Sequence, residues 1–123
     1  GGVRIGTSEI YQQVEDIDYI TEGLVVGQNY NDDVRIILFV TTKDNQELNK
    51  EKIKSIKSKI RKNCSPKHVP SIIIKVLEIP RTKSGKIVEL AVRKLINGEE
   101  INNIEAIANP DCLDYFRNLK ELK

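Results

Sequence analysis

The chain has 123 residues, a length that suits one domain with a modest core. Hydrophobic residues make up 39% of it and charged residues 31%, which is typical of a globular protein rather than a disordered one. The net charge is only +2, so bulk charge gives no reason to expect a nucleic-acid-binding protein.

The sequence indicates neither a disulfide scaffold nor a zinc site nor a membrane span. Cys64 and Cys112, the only cysteines, are far apart and outside any Cys-x-x-Cys pair. No apolar run approaches the ~20 residues that a membrane span needs, and the first residues do not resemble a signal peptide. We therefore expect a cytoplasmic protein. Because the chain contains no Met and begins Gly-Gly-Val-Arg, we also expect it to be a domain taken from a longer protein.

The first part of the chain predicts a helix followed by a β-hairpin. A Thr-Ser pair at residues 7–8 favours a helix start, and apolar residues then recur at helical spacing to near Asp16. Residues 20–26 and 34–42 predict two strands, and the polar residues 29–33 between them predict a turn. The second strand is almost continuously apolar, as is typical of a strand that is buried on both faces.

The second part of the chain predicts two amphipathic helices, a strand and a last helix. Residues 49–63 carry isoleucines on one face and lysines on the other, and residues 71–79 predict a strand. A helix follows over residues 88–96 with Gly98 just after its end, and Asn109 with a following proline begins the last helix. This order predicts an α+β domain with a small, largely antiparallel sheet, about three core strands plus a hairpin, and helices packed on it.

The loop Pro80–Lys86, Pro-Arg-Thr-Lys-Ser-Gly-Lys, is the first candidate site. Gly85 allows a tight turn or a close approach to a ligand, Thr82 and Ser84 add hydroxyl donors, and Lys86 is a mobile point charge that suits a phosphate or carboxylate. A solvated loop is the ordinary explanation of such a basic turn. The glycine and lysine spacing of a P-loop is absent.

Three further features could bind anions or carry chemistry. The glycine-rich residues 1–7, with Arg4, lead into a helix N-terminus, which is a natural anion site. The lysine-rich helix carries Arg61 near its C-terminal end. Flexible residues and a solvated helix face are the ordinary explanations of these two. His68 is the only histidine and has no visible partner, so we interpret it as structural, and no Ser/His/Asp set or metal constellation can be assembled.

Two of these segments, taken jointly, carry a family resemblance. Residues 2–10, Gly-Val-Arg-Ile-Gly-Thr-Ser-Glu-Ile, and residues 80–86 resemble two motifs of the superfamily of acyl-CoA synthetases, luciferases and peptide-synthetase adenylation domains. The first motif follows the hinge between the domains of these enzymes, and the second is their last motif, in which a lysine follows Ser-Gly. The resemblance covers essentially the whole chain. It implies that residues 1–123 are the small, mobile C-terminal domain of such an enzyme, without its large N-terminal adenylate-binding domain.

A narrower resemblance exists inside this superfamily. Residues 65–70, 85–94 and 109–115 are similar to those of acetoacetyl-CoA synthetases. Acetyl-CoA synthetases usually have a more basic segment after the motif lysine, where this chain has Glu89 and Ala91. The resemblance therefore favours acetoacetate, and acetate or propionate remains the alternative.

The resemblance also implies a reaction and roles for individual residues. ATP and the acid give acyl-AMP and pyrophosphate, and CoA then gives the thioester and AMP, while the small domain presents a different face to each step. By position, Lys86 matches the adenylation lysine, Arg4 an ATP-binding arginine, Gly2 a glycine beside the pantetheine arm of CoA, and Arg61 an arginine near the CoA phosphates. The supporting loop residues are Thr82, Ser84 and Gly85.

The implied partners are the N-terminal domain of the same enzyme, ATP, CoA and a small carboxylic acid, with neither nucleic acid nor membrane. Magnesium would accompany ATP, both held mainly by the N-terminal domain, and no metal ligand is expected in this chain. This chain alone is expected to be inactive. Two other interpretations stay open, a basic nucleic-acid-binding module that uses the lysine-rich helix and a fragment of a peptide-synthetase adenylation domain. The first would need aromatic side chains for base stacking, and the chain has only two Phe and four Tyr, with Phe39 in a strand predicted to be buried. The tail from Ile101 onward argues against the second.

Overall fold

The computed structural model describes residues 7–30, 33–101 and 104–117. The helices and strands, in chain order, are α1 (Thr7–Glu15), β1 (Ile20–Tyr30), β2 (Asp33–Thr42), α2 (Lys50–Asn63), β3 (Ile72–Lys75) and α3 (Glu89–Ile96). Short 3₁₀ helices lie at Lys43–Asn45, Pro66–His68, Ile104–Ala106 and Pro110–Phe116, the last of which coincides with the last predicted helix. The α+β class is confirmed. Within the described ranges, no helix is long and apolar enough to cross a membrane.

The three described strands form one mixed sheet in the order β1-β2-β3. β1 and β2 pair antiparallel, as the predicted hairpin requires, whereas β3 runs parallel to β2. The sheet therefore differs from the predicted one, because the hairpin itself supplies two of its three strands and the third pairing is parallel. The physical reason is α2, which lies between β2 and β3 in the chain and provides the crossover that parallel neighbours need.

Two strand lengths also differ from the predicted ones. The β1–β2 ladder continues into the predicted turn, with Asn29 paired to Val34. β3 is shorter than the predicted strand over residues 71–79. After a further hydrogen bond from the Val76 N–H to the Val40 carbonyl, at 2.8 Å, the chain leaves the sheet and Leu77 is 60% exposed.

Side chains alternate across the sheet and build two cores on its opposite faces. On β2, Ile37 and Phe39 pack with α3 and the 3₁₀ helix Pro110–Phe116, on what we call the α3 face. Leu38 and Val40 pack with α1 and α2 on the opposite α1/α2 face. All four side chains are 0% exposed, so the prediction that this strand is buried on both faces is confirmed. The described residues thus form three layers, with the sheet in the middle.

The ends of α2 and α3 follow from local residue choice. The Asn49 side-chain oxygen caps α2 by accepting a backbone N–H at 2.8 Å. α3 ends before Gly98, which has φ of 75°. There the N–H groups of Gly98 and Glu99 donate to the carbonyls of Leu95 and Lys94, at 3.2 and 2.8 Å, which is a Schellman motif. The predicted bounds of both helices are confirmed to within one residue.

A β-bulge interrupts the alternation of β1 close to its start. Ile20 and Glu22 pair with consecutive residues of β2, so Thr21 is the extra residue. Ile20 accordingly packs on the α1/α2 face, whereas Leu24 and Val26 pack on the α3 face. Because the alternation is regular from Glu22 onward, Glu22 lies on the same face of the strand as Leu24.

Candidate functional site

The predicted loop Pro80–Lys86 forms a tight hairpin that begins and ends in the core of the α3 face. Ile79 before it is 1% exposed, and Ile87 after it packs against the same core. Arg81 and Ile87 face each other in an isolated antiparallel bridge, and the Val88 N–H donates to the Pro80 carbonyl at 3.1 Å. Both stems of the loop are therefore fixed to the rigid part of the domain.

Thr82 closes the tip of this hairpin. Its N–H donates to the Lys86 carbonyl at 2.7 Å, and its own carbonyl accepts the Gly85 N–H at 2.9 Å. Its hydroxyl oxygen accepts the Lys86 N–H at 3.1 Å and lies 2.9 Å from the Ser84 hydroxyl. The three residues that the sequence assigned to a supporting role thus surround the backbone of Lys86.

Gly85 is required by its backbone conformation rather than by crowding. Its φ is 91°, a region that residues with a Cβ rarely adopt, and a Cβ added there would meet no atom within 4 Å. A turn closed by a glycine with positive φ is the usual form of a three-residue hairpin loop.

Asn109 fastens the stem of the loop from the other side. Its side-chain oxygen accepts the Arg81 N–H at 2.8 Å, and its side-chain nitrogen donates to the Ile79 carbonyl at 3.0 Å and to a carboxylate oxygen of Glu78 at 2.5 Å. The Ala108 N–H donates to the Arg81 carbonyl at 2.8 Å. The chain segment before the 3₁₀ helix Pro110–Phe116 is thus part of the support of this loop.

The cations of the loop differ in their surroundings. Lys83 and Lys86 are exposed, and within the described part of the chain neither ammonium group has a hydrogen-bond or ion-pair partner. Lys86 therefore combines a fixed backbone with a charged end that is free to meet an anion. Arg81, in contrast, is engaged within the domain.

Arg61 lies on the other side of the sheet. It is exposed on the last turn of α2, which packs on the α1/α2 face. A shallow surface depression contains Arg61 and is otherwise lined by Ser58, Lys59, Lys62 and Asn63. The structure therefore does not bring Arg61 and Lys86 together, because the two belong to opposite layers. The predicted sites Gly2 and Arg4 lie outside the described residues.

His68 has partners that sequence reasoning missed. Its Nδ1 lies 2.6 Å from the Ser65 hydroxyl, and its Nε2 lies 2.9 Å from a Glu9 carboxylate oxygen. The contact joins α1 to the 3₁₀ helix that follows α2, which fits the structural role expected for His68. The Ser65–His68 spacing was visible in the sequence, but Glu9 becomes a neighbour only through the packing of α1. Among the described residues, no group of three or more His, Cys, Asp or Glu side chains could hold a metal ion.

Comparison with known proteins relates this site to an enzyme class. No family model matches the chain. The chain is 55% identical over 123 residues to the acetoacetyl-coenzyme A synthetase of Rhizobium meliloti. The aligned region covers 100% of the chain and 19% of that protein. The chain is homologous to a segment of acetoacetyl-CoA synthetases. The acetoacetyl-CoA synthetase of Xenopus tropicalis is 45% identical over 99% of the chain, again with only 18% of the relative covered. The chain thus spans about a fifth of the length of the acetoacetyl-CoA synthetases that it matches.

Solved structures give the same relationship. An acetoacetyl-CoA synthetase from Streptomyces lividans superposes with a TM-score of 0.83 and 37% identity, over 93% of this chain and 18% of the other. An acyl-CoA synthetase from Brucella canis gives a TM-score of 0.70 and 28% identity over 76% of this chain and 17% of the other. The predicted resemblance to acetoacetyl-CoA synthetases is therefore confirmed. The roles of single residues are not tested by these similarities and stay predictions.

Proposed function

We propose that residues 1–123 are the C-terminal domain of an AMP-forming acid–CoA ligase that makes acetoacetyl-CoA from acetoacetate, ATP and CoA. The observation that supports this most is the 55% identity to an acetoacetyl-CoA synthetase along the entire chain. An N-terminal domain of the same polypeptide would hold the acid and most of the contacts to ATP and Mg²⁺. The two free cysteines, Cys64 and Cys112, agree with the cytoplasmic location that we propose.

The proposed reaction gives Lys86 a defined task. In the first step a carboxylate oxygen attacks the α-phosphorus of ATP, and the bond to pyrophosphate breaks. In the second step the sulfur of CoA attacks the acyl carbonyl, and AMP leaves. In the first step negative charge builds up between carboxylate and α-phosphate, and a preorganised cation stabilises it. In the second step the domain would present its other face, so that Lys86 no longer lies beside the reacting groups. Lys86 suits this task because its backbone is held at both its N–H and its carbonyl while its ammonium group is exposed.

The three-layer arrangement supports a division of labour between two faces. The Lys86 loop extends from the core of the α3 face, and Arg61 lies on the layer of the α1/α2 face. A domain that turns one layer and then the other toward the N-terminal domain would use Lys86 for adenylation and Arg61 for the phosphates of CoA. The roles of Arg4 at the ATP phosphates and Gly2 beside the pantetheine arm depend on the family resemblance alone.

The half-reactions of the full-length enzyme test the role of Lys86. We expect Lys86→Ala to lower acetoacetyl-AMP formation about 10²–10³-fold, the scale seen when one preorganised stabilising group is removed. Thioester formation from supplied acetoacetyl-AMP should stay within a few-fold of the original. ATP–pyrophosphate exchange measures the first step, and acetoacetyl-CoA formation without ATP measures the second.

Lys83→Ala is the matched control, since Lys83 is an exposed lysine of the same loop. It should be nearly silent in both half-reactions. An equal loss in both steps for Lys86→Ala, or an equal loss for the two lysine variants, would contradict the proposed role. Assays with acetoacetate, acetate and propionate on the same enzyme separate the proposed acid from its alternatives.

A further inference from the structure

We propose that the ion pair between Glu22 and Arg81 is a positioning device that fixes the peptide bond before Lys86 and thereby sets the adenylation rate. The inference depends on the proposed function, because it assigns these two residues a role in the placement of Lys86. Glu22 lies outside both motifs, and Arg81 lies within residues 80–86 but carries none of the predicted roles. Neither needs to touch a substrate.

Arg81 links β1 to the opposite side of its own loop with one side chain. Its Nε and Nη2 donate to the same carboxylate oxygen of Glu22 on β1, at 2.9 and 2.6 Å. Its Nη1 donates to the Gly85 carbonyl at 2.8 Å, across the loop. A guanidinium group can hold these two acceptors at once because it presents its donors in a rigid planar fork. A lysine at this position would supply one compact ammonium group on a flexible stem in place of this fork.

The contact to Gly85 matters because of the residue that follows. The peptide group between Gly85 and Lys86 is held at both ends. Its carbonyl accepts from Arg81, and its N–H donates to the Thr82 hydroxyl at 3.1 Å. Glycine at positive φ leaves the backbone open to alternative conformations, so a peptide plane beside it needs external restraint. The plane that directs the Cα–Cβ bond of Lys86 is therefore set by Arg81 on one side and Thr82 on the other.

The bulge in β1 explains why Glu22 is available for this task. Thr21 is the extra residue, and it moves Glu22 onto the side of the strand that carries Leu24 and the α3 core, where the loop stems also lie. With regular alternation from Ile20, the side chain of residue 22 would follow Ile20 to the opposite face. Bulges are frequently used near functional sites to redirect one side chain. The sheet thus supplies a carboxylate anchor to a loop that is distant in the sequence.

The ion pair between Arg81 and Glu22 is half-buried, so water screens it less than it screens a fully exposed pair. The side chains of Arg81 and Glu22 are 39% and 32% exposed. Loss of Arg81 would release the carbonyl end of the Gly85–Lys86 peptide, leave Thr82 as its single restraint, and thereby spread the lysine over more positions. Misplacement of a catalytic group by about 1 Å can cost on the order of 10²-fold in rate. We therefore expect the damage in the step that needs Lys86, with little in the step that does not.

The test compares Arg81→Ala, Arg81→Lys and Glu22→Gln in the full-length enzyme. Arg81→Ala should lower acetoacetyl-AMP formation about 10–100-fold, mainly in kcat, and leave thioester formation from supplied acetoacetyl-AMP within a few-fold. Arg81→Lys should recover only part of the loss, because an ammonium group lacks the planar fork that fits both acceptors. Glu22→Gln keeps a hydrogen-bond acceptor and should lie between Arg81→Lys and the original. Arg117→Ala, which removes a 3.3 Å ion pair with Asp114 three residues earlier in the chain, is the matched control and should change neither step.

A double variant separates positioning from general destabilisation. If Arg81 acts through Lys86, adding Arg81→Ala to Lys86→Ala should lower adenylation no further. Two outcomes would overturn the inference. One is that the two substitutions lower the adenylation rate independently, so that their fold-losses multiply in the double variant. The other is that a variant whose melting temperature matches the original loses the same fraction of activity in both half-reactions. If Arg81→Ala fails to fold, Arg81→Lys and Glu22→Gln decide the matter by the same comparison. A silent Lys86→Ala would instead refute the proposed function of Lys86, so the two failures are distinguishable.

Discussion

At the scale of single residues, the proposed contact between Arg61 and the phosphates of CoA can be tested by kinetics. It lies in the depression at the end of α2, beside Lys62. In the full-length enzyme, Arg61→Ala should mainly raise the apparent KM for CoA, by a factor that corresponds to about 1.5–3 kcal/mol for a charge-assisted contact. The KM for the acid should change little, because no part of the proposed acid site involves α2. Steady-state kinetics with each substrate varied in turn measures both values.

Lys54 supplies the control for this prediction. It is also an exposed cation of α2, but it lies outside the depression that contains Arg61. Lys54→Ala should leave the KM for CoA unchanged. If the two variants behave alike, α2 acts on CoA only through its overall charge, or not at all, and the specific assignment of Arg61 is wrong.

The buried thiol of Cys112 should make the free energy of unfolding of this chain depend on pH in the alkaline range. Burial, followed by the nearby Glu78 carboxylate, raises the pKa of this thiol from 9.0 to about 11, and the side chain is 3% exposed. Between these values the unfolded chain loses the proton while the folded chain keeps it, so rising pH favours unfolding. The free energy of unfolding should therefore fall from pH ~9 to ~11 by more in the original chain than in Cys112→Ala. Denaturant titrations at several pH values measure this difference, and a gap between the two proteins that does not vary with pH would contradict the assignment.

At the scale of secondary-structure elements, the cap of α2 is the feature whose contribution is simplest to isolate. The Asn49 side chain accepts one N–H of the first turn at 2.8 Å. Asn49→Ala should lower the free energy of unfolding by about 1 kcal/mol, within the usual range of ~0.5–2 for a lost N-cap. Asn49→Asp keeps the acceptor and adds a negative charge at the positive end of the helix, so it should be close to neutral. Equal losses for Ala and Asp would show that the cap hydrogen bond does not contribute.

Some of the helix and strand boundaries could be predicted from the sequence, and others could not. α2 and α3 were predictable because an apolar stripe, a capping residue and a terminal glycine are local signals. The direction of β3 was not, since three isoleucines in a row suit either a parallel or an antiparallel neighbour. The first strand was predicted to end at residue 26, but β1 continues to Tyr30, because the ladder to β2 runs on through polar residues that local propensity assigns to a turn.

The candidate site was predictable to a similar, limited extent. The bounds of the loop Pro80–Lys86 and the need for glycine at Gly85 follow from composition and turn chemistry. The engagement of Arg81 by Glu22 does not, because it depends on one extra residue in a distant strand. His68 likewise has no acidic neighbour in the sequence, and its contact with Glu9 arises only from the packing of α1.

At the scale of the whole molecule, the two cores predict independent folding without independent catalysis. Large side chains from all three layers, including Phe39, Ile60 and Phe116, are at most 1% exposed. The isolated chain should therefore unfold cooperatively on heating, as followed by circular dichroism. It should show no ATP–pyrophosphate exchange, because the proposed acid and ATP contacts lie mainly in another domain. Measurable exchange by the purified chain would refute that division.

The central strand has a thermodynamic consequence, since it separates two cores that share no side chain. Ile79→Val in the α3 face and Ile60→Val in the α1/α2 face should each cost about 0.5–1.5 kcal/mol. Their costs should add to within about 0.3–0.5 kcal/mol, as is usual for sites without common partners. Truncations of Phe39 and Phe116, whose rings meet edge to face with centroids 4.7 Å apart, should not add. The sheet would then keep the two outer layers energetically independent, so that a mutation in one layer would leave the stability contribution of the other layer unchanged.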